Sequence, residues 1–212
     1  LIPVSQLEFD IIPAVAMMEY SGVNLDLTHW RALLLETENR LSELRKIINS
    51  FLKPLEKQKA IFDDFCGISV DSPAQLGPAL RNLGIDVEST GSDILEKIRF
   101  KHPIVGMILD YRGLKKLLST YIDALPEMIN PRTLKVHTSF NQTVTSTGRL
   151  SSTNPNLQNI PIRDSQGKEI RKAFIPDNEA VFLSADYSQI ELRIMAHLSG
   201  DENMIEAFRS GH

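Results

Sequence analysis

Two long stretches with helical periodicity constrain the fold of this 212-residue chain more than any other feature. The first has an apolar stripe opposite a charged face; either Asp26 or Thr28 can cap its start, and Pro54 lies near its end. The second starts at Pro103, a favourable first helical residue, and Pro126 ends or kinks it. An amphipathic helix of this length usually lies against a second long helix, so we expect the two to pack together.

Shorter helices are predicted around this pair. Residues 5–20 have apolar side chains at helical spacing and end at Ser21-Gly22, a plausible C-terminal cap. Between the long helices, Ser72 begins a capping-box pattern and Ser92 is positioned to cap a further helix. The segment 86–91, which joins these two short helices, is predicted to be an exposed tip.

The character of the sequence changes near residues 126–131, where β-branched alternation and turn-forming residues replace helical periodicity. In chain order we expect extended structure at 136–145, a polar surface loop at 147–159, a helix at 167–174, a strand at 180–185 and a helix from Gln189 to about Leu198. The sequence therefore predicts an α+β fold with a mostly helical, elongated first part followed by strands.

Composition excludes several classes of protein. With 42% apolar and 24% charged residues, the chain is neither collagen-like, nor a disulfide framework, nor disordered. No apolar run reaches the roughly 18 residues of a membrane span, and we expect no signal peptide. The single cysteine, Cys66, cannot form an internal disulfide, so we expect a reducing compartment and no membrane partner.

The net charge of −4 is unevenly distributed. Between Lys101 and Lys172, eleven Lys and Arg residues stand against five Asp and Glu residues, a net charge of +6, so the remainder carries −10. A basic segment in an acidic chain is the pattern expected where one face meets phosphate groups. Charge alone does not distinguish such a face from an ordinary solvated surface.

Asp186 follows the predicted strand and precedes the predicted helix, a position where ligands commonly bind. A hard cation such as Mg²⁺ needs only one or two carboxylates together with phosphates and waters. Ser188 and Glu191 also fit a capping box at the start of the same helix, so spacing alone favours a capping role for these two. Capping explains Asp186 less well, because it precedes the cap by two positions.

Three segments resemble family A DNA polymerases, the bacterial DNA polymerase I type. Residues 186–193 closely resemble the first catalytic motif of that family, and residues 147–152 together with 156–163 resemble its preceding motif. Residues 111–117 are similar to the segment at the base of the family's thumb. The three motifs occur in the family's order and cover most of residues 110–201.

The resemblance implies a domain arrangement and an activity. Residues 1–20 would form a lead-in helix from a preceding domain, 21–125 the helical thumb, and 126–212 the first part of an antiparallel-sheet palm. The implied enzyme is a DNA-directed DNA polymerase that adds deoxynucleotides to a primer 3′-hydroxyl with two Mg²⁺ ions. Its implied partners are primer–template DNA and deoxynucleoside triphosphates; the parent is expected to be monomeric, bacterial and cytoplasmic, associated with the nucleoid.

The resemblance also implies roles for the residues of the first catalytic motif. Asp186 would bind both metal ions, and the backbone carbonyl of Tyr187 would complete a metal shell. Glu191, with Gln189 and Ser188 beside it, would line the nucleotide site and exclude ribonucleotides at the sugar C2′. For Glu191 this gate role competes with the capping role, since each requires a different direction of the side chain.

Further residues are implied to contact DNA. Arg149 would enter the minor groove, where purine N3 and pyrimidine O2 acceptors occur in all four base pairs. Asn156, Gln158 and Asn159 would hold template and primer nearby. The remaining implied contacts are Arg112, Lys115 and Lys116 with the duplex backbone, Thr145 with DNA near Arg149, and Arg163 with phosphates or the active site.

The ends of the sequence lead to a further expectation. Because the first residue is Leu1 and the chain stops at His212, we expect a piece of a longer protein, lacking the family's fingers helix and second metal-binding aspartate, and therefore inactive alone. The competing interpretation is a non-catalytic helical protein that binds duplex DNA and whose Asp186 motif is only a helix cap. A single-subunit RNA polymerase is disfavoured, because its first motif lacks a glutamate corresponding to Glu191.

Overall fold

The computed structural model describes residues 2–52, 68–162 and 165–211. The chain divides into two compact units, one up to Pro176 and one from Asp177 onward. The sequence-based interpretations of Pro54, Cys66 and Arg163 concern residues outside the described ranges.

The first unit is mostly helical. Its helices are α1 (Ile2–Asp10), α2 (Ile12–Ser21), α3 (Leu27–Leu52), α4 (Pro73–Asn82), α5 (Ser92–Lys97), α6 (Pro103–Leu117), a π-helical turn (Leu118–Ile122), α7 (Ala124–Glu127) and α8 (Ser165–Lys172). Its strands are β1 (Asn24–Leu25), β2 (Ser139–Asn141), β3 (Ser151–Thr153) and β4 (Phe174–Ile175).

The single helix predicted at residues 5–20 is two helices, α1 and α2, separated at Ile11. Pro13 lies at the start of α2 and has no N–H with which to continue the α1 hydrogen-bond ladder. The predicted end at Gly22 is confirmed: its φ is +59° and its N–H donates to the Met18 carbonyl at 3.3 Å. A Cβ here would also lie 2.7 Å from the His137 ring, so glycine is required for close packing as well as for conformation.

The long helices α3 and α6 pack together, as predicted, and bury two separate apolar clusters. Ile48 and Leu52 at the end of α3 share one cluster with residues from the start of α6, such as Ile104. Trp30 near the start of α3 shares the other with Leu117 at the end of α6. The two helices therefore run antiparallel, each contributing its opposite ends to the two cores.

Side-chain caps were predicted correctly at α3 and incorrectly at α4 and α5. Oδ1 of Asp26 accepts from the N–H groups of Thr28 and His29 at 2.9 and 3.0 Å. Ser72 precedes α4 but makes no side-chain capping bond, and the Gln75 side chain accepts from the Ser69 N–H at 2.8 Å instead of reaching back to Ser72. The α5 helix begins at Ser92 itself, preceded by Gly91.

The segment predicted as an exposed tip, 86–91, is only partly exposed. Val87 and Thr90 are buried, and Val87 belongs to the first apolar cluster together with Leu95 of α5. Burial of these two side chains attaches the segment to the core, because the apolar Val87 gains more from packing than from exposure to water.

Two small antiparallel sheets complete the first unit. In one, β1 pairs with β4, and in the other β2 pairs with β3, with Phe140 opposite Ser152. The polar run 147–159 was predicted to be a loop throughout, yet β3 lies within it. Polar side chains do not prevent strand formation here, because β2 supplies the backbone partners for β3.

The second unit contains α9 (Ile190–Ser199) and α10 (Glu202–Ser210), which pack on each other. The strand predicted at 180–185 is not formed: Val181 is 87% and Leu183 is 91% exposed, and no described residue pairs with this run. An isolated strand is not stable without a partner for its backbone groups. Asp201 caps α10, since its Oδ1 accepts from the Met204 N–H at 2.9 Å.

The fold class is confirmed as α+β, with helices predominating and all sheet pairings antiparallel. Among the described residues, no helix is both long and apolar enough to cross a membrane.

Gly167 in α8 provides a test of packing. A Cβ at this buried position would lie 2.3 Å from the Pro161 carbonyl oxygen, so Gly167→Ala is expected to lower the free energy of unfolding by about 1–3 kcal/mol. Gly113→Ala is the matched control, because no described atom beyond its own stretch of helix backbone and its chain neighbours lies within 4 Å of its Cβ position; this change is expected to raise stability by about 0.5–1 kcal/mol. Urea unfolding measures both, and equal effects of the two changes would contradict the packing of α8.

Candidate functional site

The β2–β3 hairpin is held by carboxylates from the two N-terminal helices. Oε1 of Glu19 accepts from the Phe140 N–H at 2.5 Å, and Oε2 of Glu8 accepts from the Gln142 side-chain amide at 2.7 Å. His137 Nδ1 lies 2.7 Å from the Glu19 carbonyl oxygen, which only accepts, so this ring nitrogen carries the hydrogen. The helices thereby fix the strand that carries the candidate DNA-contact loop.

Thr145 and Arg149 lie in the loop between β2 and β3. Oγ1 of Thr145 donates to the Arg149 carbonyl at 2.6 Å, and Gly148 between them has a φ of +73°. This bond closes a tight turn, and it assigns Thr145 a structural role in addition to the predicted DNA contact. The Arg149 side chain is exposed on the turn.

The amide residues after β3 are organised by Ser152. Its N–H donates to Oε1 of Gln158 at 3.0 Å, and its Oγ lies 3.1 Å from Oδ1 of Asn156. The N–H of Asn159 donates to the same Oδ1 at 3.2 Å, and the N–H of Gln158 donates to Ser152 Oγ at 3.2 Å. Asn156, Gln158 and Asn159, which the sequence predicted as DNA contacts, therefore form one compact, exposed turn around a buried serine.

Arg112 and Lys115 on α6 make internal contacts. Arg112 is half-buried and donates to the backbone carbonyls of Thr90 and Val70, and its desolvation lowers the pKa of its guanidinium, an effect that nearby Asp71 opposes. Lys115 forms an ion pair with Asp71. Both cations thus attach α6 to the segment around residues 70–90, a role that the sequence did not reveal.

Asp71 is a contact of the predicted DNA-binding residues on α6 that sequence reasoning missed. Besides its ion pair with Lys115, Asp71 accepts a hydrogen bond from the Tyr111 hydroxyl at 3.4 Å. The pKa of that hydroxyl is raised, mainly by burial and secondly by the negative charge of Asp71. Lys116 on the same helix is exposed and forms no ion pair with any residue in the described ranges. Its ammonium group is therefore available to an external anion.

The residues of the candidate catalytic motif lie in the second unit and are exposed. Asp186 and Tyr187 precede α9, and Gln189 occupies its N-cap position with a φ of +52° and no side-chain capping bond. Ser188 is therefore not the cap, and the capping box predicted with Ser188 in that role is wrong. The Ser188 carbonyl instead accepts from Nε of Arg193 at 2.9 Å.

Arg193 on α9 also makes a cation–π contact with Phe208 on α10, because its guanidinium carbon lies 4.7 Å from the centre of the Phe208 ring. Glu191 stands in the first turn of α9. With Ser188 excluded as the cap, the capping interpretation of Glu191 loses the partner it was based on.

A metal ion fits part of this motif. Asp186 is an exposed carboxylate, the hard oxygen donor that Mg²⁺ uses together with phosphates and waters. The described part of the chain contains no group of three His, Cys, Asp or Glu side chains arranged to hold a metal. Among the described residues, Asp186 therefore fits as one ligand of a metal site that phosphates and waters would complete.

Comparison with known proteins shows a family match over most of the chain. Residues 38–212 match the sequence model of DNA polymerase family A. The chain is 43% identical to "DNA polymerase I, thermostable" of Thermus aquaticus over 97% of the chain and 24% of that protein. It is also 43% identical to "DNA polymerase I" of Bacillus subtilis (strain 168) over 96% of the chain and 23% of that protein.

A solved structure has a similar fold. It is the "POL domain of Pol1 from M. smegmatis complex with DNA primer-template and dNTP", with a TM-score of 0.81 and 35% identity, covering 97% of this chain and 36% of that one. The present chain spans about a quarter of the length of the curated relatives it matches.

Proposed function

This chain belongs to DNA polymerase family A, and we propose that it forms the thumb and the first part of the palm of a DNA-directed DNA polymerase. The observation that carries the proposal is the family match over residues 38–212, which includes the Asp186 motif. The solved structure with the similar fold, whose title names primer–template DNA and dNTP, supports the same partners for this chain. We assign residues 21–125 to the thumb and 126–212 to the palm, with 1–20 as the lead-in helix.

The DNA-binding part of the proposal depends on charge and on neutral donors. Lys116 would contact phosphates directly, and Lys115 would do so by exchanging Asp71 for a phosphate oxygen. Arg149 would enter the minor groove beside the amide turn of Asn156, Gln158 and Asn159. Phosphate contacts fix the position of a duplex without reading its sequence, as a polymerase requires.

The catalytic part of the proposal depends on Asp186. Two divalent metal ions, for which we propose Mg²⁺, would supply activation of the primer 3′-hydroxyl and stabilise charge at the α-phosphate. Asp186 would hold these ions with its carboxylate, and Tyr187 would contribute its backbone carbonyl. Glu191, with Ser188 and Gln189, would line the sugar pocket and exclude ribonucleotides.

We place the protein that carries this chain in the bacterial cytoplasm, associated with the nucleoid and monomeric. Support for a bacterial protein comes from its relatives, which include DNA polymerase I proteins from Thermus and Bacillus.

The salt dependence of duplex binding tests the function. We expect the 212-residue chain to bind primer–template DNA, with an affinity that falls roughly 40-fold between 50 and 200 mM salt if about three cations contact phosphates. Lys116→Ala should reduce the magnitude of the log–log slope by about 1. Fluorescence anisotropy with a labelled duplex measures both.

Lys46→Ala on α3 is the matched control, because Lys46 is exposed on a helix but lies outside the basic segment 101–172. It should leave the slope unchanged. Absence of binding at low salt, or equal slopes for wild type and Lys116→Ala, would contradict the proposed DNA-binding face.

A further inference from the structure

Ser152 occupies the centre of the amide turn although nothing in the sequence marked it as functional. It is 1% exposed and pairs with Phe140 across the β2–β3 sheet, so its backbone position is fixed by the sheet. Its N–H and its hydroxyl oxygen both point to groups of the turn, Gln158 and Asn156. A buried hydroxyl in such a position determines how its neighbours are oriented.

Backbone N–H groups determine which end of each amide is the oxygen. The Ser152 N–H and the Asn159 N–H can only donate, so the atoms they meet on Gln158 and Asn156 are the amide oxygens. The Ser152 hydroxyl accepts from the Gln158 N–H, which leaves its own hydrogen for Oδ1 of Asn156. Both amide orientations are therefore defined by hydrogen-bond donors without ambiguity.

The nitrogen ends of the two amides are left unused by the chain. Within the described ranges, neither Nδ2 of Asn156 nor Nε2 of Gln158 donates a hydrogen bond, and both side chains are exposed. The turn therefore presents two uncharged NH₂ donors to the surroundings while both amide oxygens are occupied internally.

We propose that Ser152 is a positioning residue that orients Asn156 and Gln158 so that they offer donors to hydrogen-bond acceptors on the base edges of the DNA minor groove. The inference rests on the proposed function, since it assumes that this turn meets DNA. Purine N3 and pyrimidine O2 are neutral acceptors present in all four base pairs, so a pair of fixed donors does not distinguish one base pair from another. A turn with freely rotating amides would offer oxygens as often as donors, and the oxygens would meet acceptors unfavourably.

Phosphate oxygens also accept hydrogen bonds, so they are a second group on DNA that the two NH₂ donors could contact. The base edge is favoured because both donors are uncharged, whereas Lys116 on the thumb provides a charged group suited to phosphate. The experiment therefore uses three duplexes: one natural, one with 3-deazapurines near the primer end, and one with neutral methylphosphonate linkages there.

Binding of the 212-residue chain to the three duplexes at low salt tests the proposal. Wild type should bind the 3-deazapurine duplex about five-fold more weakly than the natural duplex, because the N3 acceptor is missing. Ser152→Ala should bind the natural duplex about five-fold more weakly than wild type, and its 3-deazapurine penalty should fall below about two-fold. If Ser152 had a purely structural role, Ser152→Ala would weaken binding to the natural and the 3-deazapurine duplex by the same factor.

Two further variants separate orientation from folding. Gln158→Glu retains the oxygen that accepts from the Ser152 N–H but replaces the NH₂ group, so it should keep the fold by circular dichroism and lose most of the 3-deazapurine penalty. Ser151→Ala is the matched control, because the buried Ser151 Oγ has no hydrogen-bond partner among the described residues; it should behave as wild type.

The outcomes distinguish this inference from the function on which it rests. If wild type binds no duplex at low salt, the proposed function fails and the inference with it. If wild type binds but Ser152→Ala and Gln158→Glu both keep the wild-type 3-deazapurine penalty, the positioning role is wrong and DNA binding stands. If methylphosphonate linkages, and not 3-deazapurines, remove the difference between wild type and Ser152→Ala, the donors meet phosphate and the minor-groove assignment is overturned.

Discussion

Changing Asp186 to Asn is expected to lower the rate of primer extension by about 1,000-fold in any longer protein that carries this chain and the rest of the polymerase. The carboxylate is the charged ligand that we propose for the catalytic metal ions, and an amide of the same shape lacks its negative charge. Affinity for primer–template DNA should stay within about two-fold of wild type, because Asp186 is exposed and is not assigned a DNA contact. Single-turnover extension and duplex binding measure the two effects separately.

Asp201→Asn is the matched control for this change. Asp201 is an exposed carboxylate in the same unit, and its structural task is to accept from the Met204 N–H at the start of α10. Asparagine caps a helix about as well as aspartate, so the extension rate should be unchanged. Equal losses in the two variants would contradict the metal-binding assignment of Asp186.

The 212-residue chain by itself should show no template-dependent extension with Mg²⁺ and all four nucleotides. Among its residues, the resemblance to family A polymerases assigns only Asp186 as a metal-binding aspartate, and one carboxylate cannot hold two ions in a productive arrangement. Extension that disappears in Asp186→Asn would overturn this expectation.

Trp30→Ala is expected to lower the free energy of unfolding of the first unit by about 3–5 kcal/mol. The Trp30 side chain is 2% exposed and lies in the apolar cluster at the start of α3. Its ring packs edge-on against Phe174, with the ring centres 6.2 Å apart. Its removal would leave a cavity between α3 and β4, and urea unfolding followed by circular dichroism measures the loss.

The Trp30 N–H has a separate contribution. It donates at 2.8 Å to the carbonyl of Ile122, the last residue of the π-helical turn that follows α6. Trp30→Phe keeps an aromatic ring but removes this donor, so it should cost less than Trp30→Ala, about 1–3 kcal/mol, because the buried carbonyl loses its partner. An equal loss in both variants would show that the hydrogen bond, and not the packing, carries the effect.

Helix positions and the cap of α3 were predictable because they depend on neighbours in sequence. The apolar periodicity of α3 and α6 and the Asp26 cap each involve residues within four positions of one another, where backbone geometry is nearly fixed. The predicted pairing of α3 with α6 was also correct, since each helix has one apolar face that only another element can cover.

The errors in strand prediction concern features that depend on distant partners. β3 forms in a polar run because β2 lies beside it, whereas the apolar run 180–185 has no described partner and forms no strand. The capping boxes predicted from Ser72 and Ser188 fail because Gln75 bonds to Ser69 and because Gln189 takes the N-cap position with positive φ. Spacing indicates that a cap is possible but not which hydrogen bond is formed.

The candidate site likewise has some features that the sequence determines and others that only folding determines. The sequence by itself determined the types of residue present: the carboxylate at Asp186, the amides after β3 and the cations of α6. Only the tertiary structure decided that Asp71 neutralises Lys115, and that Ser152 occupies the oxygens of Asn156 and Gln158 so that their NH₂ groups remain available. The physical reason is that residue type specifies which donors, acceptors and charges exist, whereas folding decides which of them are consumed internally and which are left for a ligand.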